Sequence, residues 1–228
     1  MENTVTILIK NTSYVVGFKN DSHYLLKNGQ VAYKGNEIIY VGKNYEGPVD
    51  QIIDANNGLV IPGLINCHVH LANSPAEKGF IEDRGSRNFH MLTLYEYLRA
   101  IDMPYEDRLK VMDFSLAEIL PTGATTIYEL GLGSEEMVEK IGNSGLRAYI
   151  GLSSCPSKTY TPDGKRIENT KMDLDFGYQR LEENIARKEK YEGSYHDRIR
   201  FTLFPGQDES TPPEFLREVK RLADLHKM

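Results

Sequence analysis

The chain has 228 residues, 40% of them hydrophobic and 26% charged, a globular composition with room for one or two cores. A net charge of -6 and a pI of about 5.6 argue against nucleic acid or an anionic membrane as the main partner. No apolar run nears the ~20 residues that cross a bilayer, and the N-terminus lacks the basic start and long apolar core of a signal peptide. Cys67 and Cys155 are too few for a disulfide framework, so a cytoplasmic location is expected.

Residues 1–60 read as short strands. TVTILIK, YLLKNGQVAYKG and EIIYVGK are β-rich, with turn chemistry at Asn28-Gly29 and Gly35-Asn36, which predicts a small all-β module of a few hairpins. Pro62-Gly63 then introduces a different regime in which strands alternate with helices. LINCHVHL is the first strand, and helical spacing of Leu109, Met112, Leu116, Ile119 and Leu120 follows. ATTIYEL is the second strand. Ser134 caps a helix over 135-EEMVEKIGNS-144, which Gly145 stops. LRAYIGLS is the third strand, followed by a loop, 155-CPSKTYTPDGK-165, and an amphipathic helix over 173–191. Its 182-EENIARKEKYEG-193 charge run reads as a solvated face. RIRFTLFPG is the fourth strand, and Thr211, Pro212 and Glu214 form a capping box for a last helix. Four βα units in series imply a parallel sheet, either doubly wound or a (β/α)₈ barrel. A glycine-rich G-x-G-x-x-G after the first strand is absent, so dinucleotide binding is unsupported.

The chemistry concentrates at His68 and His70. Residues i and i+2 of a strand share a face, so both imidazoles project together and can serve one metal ion. Two histidines on a strand are commonly incidental, so the spacing alone does not decide. The context is more restrictive: a β-rich module, then 61-IPGLINCHVHL-71 opening a βα series, then 116-LAEILPTGATTIYEL-130 and 143-NSGLRAYIGLS-153. In this the chain resembles the amidohydrolase superfamily, and within it the cytosine-deaminase-like and triazine-hydrolase-like enzymes.

The resemblance implies a metal-bearing (β/α)₈ (TIM) barrel whose first four βα units occupy 61–228, with residues 1–60 as the N-terminal part of a small composite β-sandwich. It implies that His68 and His70 bind one divalent ion at the C-terminal mouth of the barrel, zinc first, with iron, nickel or manganese also compatible. Such an ion lowers the pKa of a bound water toward ~7 and leaves it able to attack an electrophilic carbon. The family's further ligands, a His after strand 5, a His after strand 6 and an Asp after strand 8, have no candidate positions here. Nor does its proton-shuttling Glu, so catalytic residues are expected beyond Met228. The fourth strand carries no lysine of the kind that bridges two metals in binuclear members, which favours a single ion.

Four other positions are candidate substrate contacts by topology. His90 lies in the long connection after strand 1, Glu129 ends strand 2, Ser154 follows strand 3 and Gln207 follows strand 4. Each has a plainer reading as a solvated or structural residue. Cys67, between two projecting histidines, is expected to face the opposite side and pack.

The functional expectation is a metal-dependent hydrolase cleaving a non-peptide C–N bond of a small molecule. Amide, carbamate or urea substrates are preferred over ring deamination of the cytosine, nucleoside or triazine type. The competing class is a non-catalytic truncated product or binding partner. A homo-oligomer, or a second chain supplying the rest of the barrel, is compatible with the sequence.

Overall fold

A computed structural model describes residues 5–73, 103–157, 159–160 and 168–228. The chain divides between Gly63 and Leu64 into two compact units.

The first unit contains seven strands: β1 (Thr6–Lys10), β2 (Tyr14–Lys19), β3 (Ser22–Lys27), β4 (Gln30–Lys34), β5 (Glu37–Gly42), β6 (Gln51–Asp54) and β7 (Leu59–Val60). They form two small sheets, of order β5-β4-β1-β6 and β3-β2-β7. The sequence reading missed β2, β6 and β7, and it misassigned one turn. Asn28-Gly29 does not close a hairpin, because β3 pairs with β2 while β4 pairs with β1. The hairpin between β2 and β3 turns instead at Asn20-Asp21, with φ of 51° and 56°. Two consecutive positive φ values match the right-handed twist of the strands, and Asn and Asp tolerate them. The crossings between the sheets are held to one another. Ser13 N–H donates to Gly58 O, Asn28 N–H to Ser13 O, and the buried Thr12 hydroxyl to Gly29 O at 2.7 Å.

The second unit is built on four parallel strands: β8 (Leu64–Val69), β9 (Ala124–Leu132), β10 (Arg147–Ser153) and β13 (Ile199–Phe204). β11 (Thr159–Tyr160), in the segment read from sequence as a loop, pairs with β12 (Glu168–Asn169), just beyond it, as a two-residue ribbon. The sheet order is β13-β10-β9-β8. Neighbours in space are thus consecutive in the βα series. A doubly wound sheet reverses its strand order at a switch point, and this one does not.

Four helices accompany the sheet: α1 (Tyr105–Ile119), α2 (Glu135–Ser144), α3 (Leu174–Tyr191) and α4 (Pro213–His226). The Ser134 hydroxyl accepts from Met137 N–H at the start of α2, and Gly145 ends it with φ 90°. The capping box anticipated at α4 does not form. Pro212 is the N-cap, and the Thr211 hydroxyl donates to Pro205 O at 3.0 Å. Ile127, Ala148, Ile150 and Ile199 from three neighbouring strands are fully buried with Met112, Leu116, Val138 and Ile141 from α1 and α2. A second cluster joins Leu181 of α3 to Phe215 and Val219 of α4. Fully burying each large apolar side chain contributes about 1.5–3 kcal/mol, so these two clusters hold the helices against one face of the sheet. The charge run of α3 is not wholly solvated. Asn184 within it is 0% exposed, and its amide donates to Leu152 O and Ser153 O at the end of β10. Among the described residues no helix is long and apolar enough to cross a membrane.

The approach of α3 to α4 depends on Gly177. A Cβ at this position would stand 2.8 Å from the buried Phe215 ring and 3.1 Å from Pro156. Gly177→Ala gains helix propensity but overpacks this contact, so it is expected to destabilise the protein by about 1–3 kcal/mol. Urea unfolding of the variant checks this, and an unchanged or higher midpoint would show that the Phe215 ring gives way freely.

Candidate metal centre

Among the described residues β8 is an edge strand, with β9 as its single neighbour. Its pairing runs Asn66↔Ile127 and then Val69↔Glu129, so β8 advances three residues where β9 advances two. Cys67 and His68 therefore form a bulge opposite Tyr128. Bulges re-aim side chains and are concentrated next to functional sites. Past the bulge Val69 and Leu71 are buried with the helix-side core, while His68 is exposed and His70 half-buried. The histidines thus belong to the face that the helices do not cover. Below them on that face the Thr202 hydroxyl of β13 donates to the Tyr128 hydroxyl at 3.0 Å.

The two imidazoles converge. His68 Nε2 and His70 Nε2 lie 3.0 Å apart, with ring centroids at 4.9 Å and planes at 73°. Two ring nitrogens each about 2.0–2.1 Å from one zinc ion stand about 3 Å apart when the angle at the ion is near 90°. The pair therefore fits a single shared ion. His70 Nδ1 lies 2.9 Å from Leu130 O. A carbonyl only accepts, so Nδ1 carries the proton and Nε2 presents its lone pair, the arrangement common to metal-binding histidines. Among the described residues no cluster of three or more His, Cys, Asp or Glu side chains could hold a metal. His68 and His70 could supply two ligands to an ion, and a complete coordination sphere would require others.

Glu129 does not share the histidines' face. It pairs across from Val69 and is 1% exposed on the helix side of the sheet. Its Oε2 accepts from Leu71 N–H at 2.9 Å. Desolvation pushes its pKa from 4.5 to about 8, opposed in part by that hydrogen bond. Ser154 is 0% exposed and its N–H donates to Phe204 O. Gln207 is exposed, and its carbonyl accepts from the Ser210 N–H and hydroxyl. Both sit beyond β10 and β13, two and three strands from β8. His90 lies outside the described residues. Of the candidates, the structure brings together His68 and His70, with Glu129 behind them. Cys67 corrects the sequence reading: it is exposed rather than packed, because it lies in the bulge of an edge strand. Sequence reasoning missed Leu130, which acts through its carbonyl, and Ser115, whose hydroxyl donates to Leu71 O at 2.7 Å. A backbone acceptor leaves no side-chain signal, and Ser115 reads as an ordinary polar position within a helix.

A four-stranded parallel βα array with a histidine pair at the end of its first strand combines the two features that the sequence resemblance implied. No protein-family model matches the sequence. The chain is 28% identical over 228 residues to the 5-methylthioadenosine/S-adenosylhomocysteine deaminase of Carboxydothermus hydrogenoformans, covering 96% of this chain and 46% of that protein. Among solved structures it is similar to a triazine hydrolase variant, with a TM-score of 0.74 at 20% identity over 97% of this chain and 51% of that one. A Xanthomonas campestris adenosine deaminase with bound zinc gives a TM-score of 0.67 at 18% identity, covering 97% and 47%. The chain spans about half the length of the relatives it matches. The resemblance to the amidohydrolase superfamily holds over nearly the whole chain, and the fold is that of its TIM-barrel members.

The Glu129 shift has a consequence for stability. Unfolded, this carboxyl titrates near 4.5, and folded it titrates near 8. Its contribution to stability is complete below the unfolded value and is lost as pH rises through the folded one. Glu129→Gln keeps an acceptor for Leu71 N–H and removes the titration. The variant is expected to gain on the wild type as pH rises from about 5 to 8, by on the order of 4 kcal/mol at the upper end. Denaturant titrations across that range check it, and parallel stability curves would mean that Glu129 ionises as an ordinary carboxylate.

Proposed function

We propose that this chain forms the first half of a metal-dependent hydrolase that cleaves a non-peptide C–N bond of a small molecule. In this reading the whole protein closes an eight-stranded barrel, completes a β-sandwich from both chain ends, and holds one divalent ion, zinc first, between His68, His70 and ligands from its second half. The observation that carries the reading is the 3.0 Å convergence of the two Nε2 atoms at the end of the first parallel strand. A divalent ion bound there supplies Lewis acidity and lowers the pKa of water. This chain's own residues contribute position. The bulge in β8 directs both imidazoles to the uncovered face, and Leu130 O keeps the His70 lone pair turned outward.

Two substrate types fall within this reaction class, because an amide, carbamate or urea carbon and an amino-bearing ring carbon are both electrophilic centres attached to nitrogen. Ring deamination is the second reading, and the deaminase names of the relatives favour it. His90, Ser154 and Gln207 remain candidates for substrate contact.

Replacing either ligand tests the proposal. His68→Ala and His70→Ala are each expected to remove most bound metal and at least about 100-fold of the C–N hydrolysis, since a catalytic ion typically supplies several kcal/mol of transition-state stabilisation. Metal content by elemental analysis, alongside ammonia release from a panel of amides, ureas and aminated heterocycles, reads both effects. Normal metal content with full activity in His68→Ala would end the assignment.

A further inference from the structure

The paired register of β8 with β9 ends at Val69, and the His70 carbonyl beyond it accepts from Asn73 N–H at 3.2 Å. Buried backbone groups that lack ladder partners need others. Both polar groups of Leu71 find them in buried side chains. Its N–H donates to Glu129 Oε2 at 2.9 Å and its carbonyl accepts from the Ser115 hydroxyl at 2.7 Å. Leu71 is 0% exposed, Glu129 1% and Ser115 3%, so no water is available to replace either partner. One residue earlier, the His70 ring is fixed by Leu130 O. The residue beside Glu129 thus orients the imidazole while Glu129 itself anchors the backbone beneath it.

We infer that Glu129 and Ser115 are positioning residues for the metal centre: they clamp Leu71 from two different elements, β9 and α1, and so fix where the His70 ring stands relative to His68. This rests on the reading of His68 and His70 as metal ligands. It gives Glu129 a role behind the site instead of a contact with substrate, and it gives Ser115 a role that its place on a helix does not suggest. The clamp works by geometry. A Gln at 129 still offers an oxygen to Leu71 N–H, whereas a Met fills the space and leaves the N–H buried and unpaired.

The test is metal affinity, measured on the purified whole protein with its second half included, by competition with a zinc chelator, with folding checked by thermal melting. Glu129→Met is expected to weaken zinc binding by about 10–100-fold, the usual cost of losing a group that orients a ligand. Ser115→Ala is expected to weaken it about tenfold, and Glu129→Gln to stay within about threefold of wild type. Ile141→Val, a core change in α2 that alters neither hydrogen bond of the clamp, controls for general loss of stability and should leave the affinity unchanged. If Glu129→Met does not fold, Ser115→Ala removes fewer atoms and carries the test alone. Wild-type affinity in a folded Glu129→Met or Ser115→Ala variant would overturn the clamp while leaving the metal assignment intact. Equal losses in Ile141→Val would overturn it too, by showing that affinity follows stability alone. Wild-type protein that takes up no zinc, iron, nickel or manganese would overturn the metal assignment, and the clamp with it.

Discussion

The candidate site depends on the register between β8 and β9. Because Val69 stands opposite Glu129, His70 falls beside the Leu130 carbonyl and Leu71 beside the Glu129 side chain. Shifting the pairing by one residue would exchange the faces of every side chain on β8, sending the histidines into the helix-side core and Val69 and Leu71 out of it. What prevents that slip is the core itself. Val69, Leu71, Ile127 and Ile150 are all buried on one side of the sheet, and a one-residue slip would take Val69 and Leu71 out of that core. Packing on the covered face thus determines chemistry on the open one.

Much of the second unit was legible in the sequence for the same reason. ATTIYEL, LRAYIGLS and RIRFTLF are rich in β-branched, aromatic and other apolar residues, and each is followed by helical spacing, so the βα series and its parallel sheet could be read from hydrophobic pattern. The i, i+2 spacing of His68 and His70 was likewise enough to expect both rings on one face. The first unit was less legible. β2, YVVGFK, is interrupted by a glycine, β7 has two residues, and all four residues of β6 are exposed. Short strands that bury little carry little pattern. Asn28-Gly29 is among the strongest short hairpin signals, yet here it marks a passage between sheets, because the strands on either side found partners elsewhere.

The groups behind the histidines were not legible at all. Glu129 was read as ending its strand, whereas β9 continues to Leu132, and position along a strand does not reveal a face. The bulge at Cys67 and His68 adds a residue that no alternation count of LINCHVHL would include. A second irregularity follows on the other side of β9, where Gly151 pairs with Leu130 and Leu152 with Leu132, leaving Gly131 as the extra residue at φ 96°. Only glycine adopts that conformation without strain. Gly131 is thus the bulge residue of β9, immediately after Leu130, whose carbonyl meets His70.

These features make the site costly to hold. Glu129 is buried, its ionised form opposed by desolvation. Gly131 gives up more backbone entropy than any other residue would. None of these choices follows from a sequence selected for stability alone. Local departures of this kind, within a sheet that is otherwise regular, are where function is expected to override foldability. Glu129 and Gly131 both stand on β9, each one residue from the Leu130 carbonyl that meets His70. A second run of left-handed backbone, at Tyr195, His196 and Asp197, precedes β13, so what marks the histidine strands is a buried carboxyl beside such backbone, and not backbone strain by itself.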